Sequence, residues 1–280
     1  MKDVIEGHKE NQNYQINTKD IADLLTGGSK SRHISVWRTI ITSQLDADRA
    51  DYLLRDSHHI GVAYGKFDLS RILTTLRLEL DENGSPKLAI EDGGVHAAEA
   101  LILARYMMFT QVYFQHTRRA YDNHLVLTMK ELLNSAYRSS KAVFPKPDTA
   151  KRVKEYLTWN DWKVLGMIAT GKGGEHAEII KTRKHYRKVY ETSESPSVEE
   201  LDKVKSIEEK FRDKIGFTDM ARGSPYKFEK SDIPIYITQD ESMVKLSEVS
   251  TVIKGLRSIN QYRVYSPLEH RNIIQNEIKQ

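Results

Sequence analysis

Residues 95–138 run without a single glycine or proline, and this stretch constrains the fold more than any other. Its segments ALILARYMMF and HLVLTMKELL carry apolar residues at helical spacing, the signature of a long helix packed on a core. The stretch predicts one long helix, or two with a slight break near Asp122-Asn123. Before it, residues 74–91 change period. TTLRLEL and KLAIED alternate apolar and polar around DENGSP, whose Asn-Gly favours a tight turn, so a β-hairpin is expected.

The flanks fill in a mainly α chain. Residues 1–30 read as a polar leader with one short helix at IADLL. From about Val36 the spacing is helical, and a helix ends at Gly61. Pro145 and Pro147 mark a boundary. Thr149 to about Lys214 reads as mostly helical, with loops at GKGGEH and SESPSVEE. IPIYITQ and YRVYSP read as strands, with MVKLSEVSTVIKGLRSI as a helix between them. The expected layout is a leader over 1–30, a helical lobe with a small β-hairpin over 31–148, and an α+β lobe over 149–280.

Composition narrows the chemistry. The chain has 280 residues, no cysteine, and 43 Lys+Arg against 39 Asp+Glu. Thiolate nucleophiles, disulfides and Cys-ligated zinc are excluded together. No apolar run is long enough for a membrane helix. The opening MKDVIEGHKENQNYQ has no apolar h-region, so a cytoplasmic location is expected.

The segment LDADRADYLLRDSHHIG, residues 45–61, is the densest in functional groups. On a helix, Asp48, Tyr52, Arg55 and His59 fall within a sector of roughly 60°, flanked by Asp51 and Asp56. Ala50, Leu53, Leu54 and Ser57 lie opposite. Charged stripes are ordinarily solvated faces laced with i,i+4 pairs such as Asp51–Arg55. Here a phenol and an imidazole share the stripe with the acids, which favours a site. One carboxylate cannot hold a catalytic divalent ion, so Asp48 would need ligands from elsewhere.

This segment resembles the D-x-x-D-Y-x-x-R-D-x-x-H-x-G element of HD-superfamily deoxynucleoside triphosphate (dNTP) triphosphohydrolases, which include the SAM- and HD-domain enzymes and bacterial dGTPase relatives. The likeness continues through the hairpin, the R-R-A-Y element of the long helix, WNDWKVLGMI, IIKTRKHYRKVYET and RVYSPLEHR, over about residues 30–280. It implies an HD-domain-like helical fold and a divalent metal such as Mg, Mn or Co, with Asp48 as a catalytic metal ligand. Arg49 would lie near the phosphates, and Tyr52 and Asp56 at the sugar, with Arg55 beside them. Tyr121 matches the R-R-A-Y tyrosine near sugar and base. Arg118 and Arg119 become phosphate or interface candidates. Asp122 stands where animal enzymes have glutamine, which opens the base preference.

One element is missing. The family's upstream His and His-Asp pair have no counterpart, since the chain contains no His-Asp dipeptide and its first histidines are His8 and His33. GHKEN at 7–11 is at most a weak remnant of that region. A separate chain could supply the H…HD half, the protein could bind nucleotides without hydrolysing them, or the sequence could start inside a longer one. The resemblance also implies a homo-oligomer and an allosteric nucleotide, while nuclease activity is a weaker alternative. Remaining histidines read blandly: His58 as a packing residue or a support behind the site, His116 and His124 as hydrogen-bonded residues on one helix face, His176 in a glycine loop without phosphate-loop spacing. The basic-aromatic run 181–190 reads as a solvated helix face, or as a nucleotide or subunit contact rather than a nucleic-acid surface.

Overall fold

Helices form where apolar spacing and capping residues coincide. The computed structural model describes residues 2–28, 31–80, 83–138, 141–228 and 232–279. In chain order they contain α1 (Lys2–Ile5), α2 (Asn11–Tyr14), α3 (Thr18–Thr26), α4 (Arg32–Thr42), α5 (Ala47–Ile60) and α6 (Leu69–Thr75). Then come β1 (Leu76–Leu80), β2 (Pro86–Glu91), α7 (Val95–Met108), α8 (His116–Tyr137), α9 (Ala150–Leu157), α10 (Asp161–Ala169) and α11 (Gly174–Thr182). The rest comprises β3 (Arg187–Glu191), α12 (Val198–Lys210), β4 (Phe217–Gly223), β5 (Pro234–Ile237), β6 (Ser242–Lys245), α13 (Leu246–Val249), α14 (Thr251–Gly255), β7 (Ile259–Ser266) and α15 (Leu268–Lys279). The chain is mainly α with two small sheets, as the pattern predicts.

The chain forms two compact units, and each is discontinuous in sequence. The first takes residues through Thr110 together with Ser224–Ser258. The second takes Gln111–Gly223 and the C-terminal stretch from Ile259. The division expected after residue 148 therefore falls inside the second unit, and the expected 149–280 lobe is split. IPIYITQ does form a strand, but β5 joins the hairpin in the first unit. Its sheet runs β1-β2-β5-β6.

In the first unit the hairpin is antiparallel, with Leu76 opposite Ile90 and Leu80 opposite Pro86. Part of its DENGSP turn, residues 81 and 82, lies outside the described residues. β5 lies parallel to β2 through Ile90 and Ile235, a pairing that local sequence cannot signal. Leu53, Ala89, Ile90, Ala98, Ile102, Met108, Ile235, Leu246 and Ile253 form the buried interior. MVK of the expected helix is strand β6, and its helical part is two short turns, α13 and α14. The leader holds three short helices rather than one.

The long stretch from residue 95 does break, though not at Asp122-Asn123, which lie inside an unbroken α8. Phe109–Tyr113 widens into a π-helical turn. Gln115 then turns extended, and its side-chain carbonyl accepts the N–H groups of Thr117 and Arg118 to start α8. FTQVYF is rich in β-branched and aromatic residues, which lose rotamer freedom in a helix; such π turns are local insertions in a helix.

In the second unit the sheet is antiparallel, in the order β3-β7-β4. Residues 187–190 of the basic-aromatic run thus lie in strand β3, and the expected helix face there is overturned. Val189, Val204, Ile207, Phe211, Val264 and Ile274 pack as one buried cluster, joining the sheet to α12 and α15. Among the described residues no helix is long and apolar enough to cross a membrane.

Candidate functional site

The α5 helix begins at Asp46, whose carboxylate accepts the Arg49 N–H at 2.8 Å as N-cap. It ends at Gly61, in the left-handed conformation (φ 77°) that closes helices best with glycine. Leu53 and Ser57 are buried, so the apolar back is anchored as the spacing predicts. Behind Ser57 the chain folds closely: a Cβ on Gly65 would come within 2.3 Å of the Leu53 carbonyl oxygen.

The first turn of α5 gathers a polar cluster. Asp46, 5% exposed, pairs with the Arg49 guanidinium at 3.1 Å. Arg49 also donates to the Ser43 carbonyl. Arg105, from α7, hydrogen-bonds Tyr52 and donates to the Pro225 carbonyl at 3.0 Å. Its Nε is buried with no partner among the described residues. Burial pushes the Asp46 carboxyl and the Tyr52 phenol up from their usual values, although Arg49 and Arg105 pull both the other way. The charged Asp46 is thus held by its cap bond and Arg49.

Asp48 projects from this turn into solvent, with its charge felt by Asp46 and Tyr52. Asp56 is half-buried. Arg55 pairs with exposed Asp51 at 2.7 Å, so it belongs to the ordinary i,i+4 lacing of the outer face. His58 is exposed and touches His59 edge-on; it does no core packing. Sequence reasoning missed Asp46 and Arg105. A lone arginine inside the apolar run ALILARYMMF was the available signal for the second.

The R-R-A-Y residues lie on α8, in the other unit. Arg119 makes a bidentate contact to Asp219 of β4, with Nε at 2.9 Å from Oδ2 and the second nitrogen 2.5 Å from Oδ1. Asn123 donates to the same carboxylate. Arg118 donates to the Tyr113 carbonyl and stands 3.8 Å from Asp122, which is equally far from Arg119. The Tyr121 hydroxyl meets His185 Nδ1 at 3.2 Å. His124, fully buried, accepts the Tyr186 N–H on Nε2, which leaves its proton on Nδ1 to be donated to His176 Nδ1 at 3.0 Å. Burial and its histidine neighbours lower His124 to about 4. His124 is therefore a hydrogen-bonded interior residue, and the GKGGEH loop opens into α11, which carries His176.

Among the described residues no three His, Asp or Glu side chains converge to hold a metal ion. Asp48 is a single outward carboxylate, so the described residues by themselves do not fit a divalent ion.

Comparison with known proteins gives this geometry a setting. Residues 67–280 match the family model of the HD associated region. The uncharacterized protein YwfO of Bacillus subtilis is 25% identical over 272 residues, covering 89% of this chain and 61% of the relative. An uncharacterized protein of Methanocaldococcus jannaschii is 28% identical over 256 residues, covering 86% of this chain and 53% of that one. The chain thus spans a little over half the length of these relatives. A hypothetical protein from Aquifex aeolicus superposes with TM-score 0.77 and 26% identity over 98% of this chain and 70% of its own. A phosphohydrolase from Bacteroides thetaiotaomicron superposes with TM-score 0.66 and 18% identity over 92% and 69%, a likeness of fold alone.

Proposed function

The chain belongs to the HD associated region family, and from that premise we propose that it is a portion or subunit of a metal-dependent dNTP triphosphohydrolase. In that reaction dNTP and water give deoxynucleoside and triphosphate. One observation carries the reading: α5 presents Asp48 to solvent beside an anchored cluster of Arg49, Tyr52 and Arg105. Asp48 would supply one carboxylate to a divalent ion whose further ligands come from outside this chain. Arg49 offsets phosphate charge, and Tyr52 with Asp56 hold the sugar. Arg105, tied to Tyr52, is a positioning residue for that phenol. Tyr121, Arg118 and Asp122 on α8 are the further substrate candidates, while Arg119 acts through Asp219. The reading carries with it assembly into a homo-oligomer, a regulatory nucleotide and a cytoplasmic setting.

The test is triphosphate release from each dNTP, with Mg²⁺, Mn²⁺ or Co²⁺. The chain is assayed alone and mixed with a polypeptide bearing the H…HD elements. The mixture is expected to be active, and Asp48→Ala to lower turnover by about two orders of magnitude or more with unchanged melting. Full activity in Asp48→Ala removes Asp48 from the site. The lack of a three-ligand group among the described residues favours a second reading, a non-catalytic nucleotide-binding homologue. That reading predicts nucleotide binding with no release in any mixture.

A further inference from the structure

Strand β1 lies at the end of its sheet, and among the described residues no strand pairs with its outer edge. An open edge is a row of backbone donors and acceptors that a further strand can complete. The two faces of β1 differ. Leu76, Leu78 and Leu80 share one face with Ile90, Leu88 and Pro86 of β2. The β2 residues are buried, yet Leu78 and Leu80 remain 50% and 48% exposed. The cover over this apolar face therefore stops between the two strands. Leu73, on the α6 helix that leads into β1, adds a third exposed leucine. On the opposite face Arg77 bonds Glu79 at 2.9 Å and Glu91 at 3.2 Å, and its guanidinium lies over the Tyr236 ring. Lys87 stands across the hairpin from Glu79, so the charges of this face balance.

The sequence of β1, Leu-Arg-Leu-Glu-Leu, complements itself when laid antiparallel about its middle residue. Leu78 then meets its own copy, Leu76 meets Leu80, and Arg77 meets Glu79 on both sides of the centre. Moving the centre by one residue sets Arg77 or Glu79 against its own like charge. A centre between residues sets leucine against charge, on the wrong face. We propose that β1 is the docking edge for a second copy of this chain, paired antiparallel about a two-fold axis at Leu78. A two-fold contact brings one patch against itself, so it requires this kind of self-complementarity. The pairing continues the four-stranded sheet of one copy into that of the other. It lays the half-exposed leucines of both copies side by side. On the other face it makes two Arg–Glu cross-strand pairs, which stabilise a ladder where like charges oppose it. Arg77 has five N–H donors, enough to hold Glu79 of the second copy beside its own acceptors. A five-residue edge is a small interface, so the association is weak and concentration-dependent.

The contact does not rest on the assignment of α5, and its test needs neither nucleotide nor metal. The chain has no cysteine, so Leu78→Cys supplies a single thiol at the axis. Residues directly opposite in an antiparallel pair have Cα atoms about 4.5–5.5 Å apart, within disulfide range. Mild oxidation of the full chain carrying Leu78→Cys is expected to give a covalent dimer. Leu80→Cys is the control: its two copies lie about four residues out of register, roughly 13 Å apart, and should give almost none. Sedimentation equilibrium supplies the second arm. Arg77→Glu and Glu79→Arg are each expected to weaken self-association about tenfold or more. An equimolar mixture of the two variants should recover it, because each then faces opposite charge across the axis. Equal cross-linking at Leu78 and Leu80 would mean random collision and overturn the register, and no cross-link at Leu78 would overturn the contact. Weakening by both reversals without recovery on mixing would mean that Arg77 and Glu79 act only within one chain, which also overturns the proposal. Association unchanged by either reversal would place any dimer on another surface, with the same result.

Discussion

The polar clusters on α5 and α8 are made from the same residue types and are built to opposite ends. On α5, Asp46, Arg49, Tyr52 and Arg105 hold one another beneath the first turn, and Asp48 is left outside facing water. On α8 most of the polar residues turn inward, Arg119 to Asp219, Tyr121 to His185, His124 to His176 and the Tyr186 N–H, while Arg118 stays exposed. An arginine-tyrosine motif therefore does not by itself mark a site. What distinguishes the two is the group the satisfied network leaves in solvent, a carboxylate on α5 and an arginine on α8.

That contrast can be broken first at Arg119. Asp219 is 4% exposed, so Arg119→Ala strands a buried carboxylate and is expected to cost about 4 kcal/mol in urea unfolding. Asp219→Asn, which keeps the shape and removes the charge, should cost less. A loss no larger than that of a surface pair would place Arg119 with the lacing of α5 and erase the difference between the two helices.

A smaller effect sharpens the comparison through pH. His124 takes a proton near its ordinary 6.5 in the unfolded chain and resists it down to about 4 in the fold. Between those values the unfolded state binds more protons, so this stabilisation is complete above pH 6.5 and is lost as pH falls toward 4. The expected loss between pH 7 and pH 4.5 is about 2 kcal/mol, and His124→Gln should flatten that part of the profile. An unchanged slope in the variant assigns the acid sensitivity to other groups. The smallest effect belongs to Asp51→Ala. Its partner Arg55 is exposed, and melting should shift by no more than about one degree; a larger shift would make the outer face of α5 a structural network like that of α8.

How much was legible depends on how local the cause was. The buried back and the end of α5 could be read, because Leu53, Ser57 and the closing Gly61 all act within a few residues of the backbone they shape; its separation from α4 at 43–46 could not. The hairpin was legible for the same reason. The break in the long helix was misplaced because two polar residues at 122–123 looked more disruptive than the aromatic, β-branched FTQVYF; rotamer crowding decided the matter. Strand β4 escaped notice, since FTDMARG owes its extended form to pairing with β7 and its Asp219 to a partner a hundred residues away. Asp46 was hidden beside Asp48, since spacing alone cannot tell a capping carboxylate from an outward one. Arg105 was visible as an anomaly in an apolar run, but its bond to Tyr52 was not. The interleaving of the two units was illegible, because it depends on long-range contacts such as the two-residue parallel match of β2 with β5 and the Arg105 bond to the Pro225 carbonyl.

That match also bears on how the protein is made. Synthesis delivers β2 long before β5, and at about 5–20 residues per second the gap lasts roughly 7–30 s. Throughout it, Leu88, Ala89 and Ile90, buried in the finished protein, border an unpaired strand edge on the nascent chain. Such edges invite intermolecular pairing. The vulnerable species is therefore a half-built sheet on the ribosome. Chaperone demand and yield in recombinant expression should respond to the rate of translation between β2 and β5 more than to the stability of the completed fold.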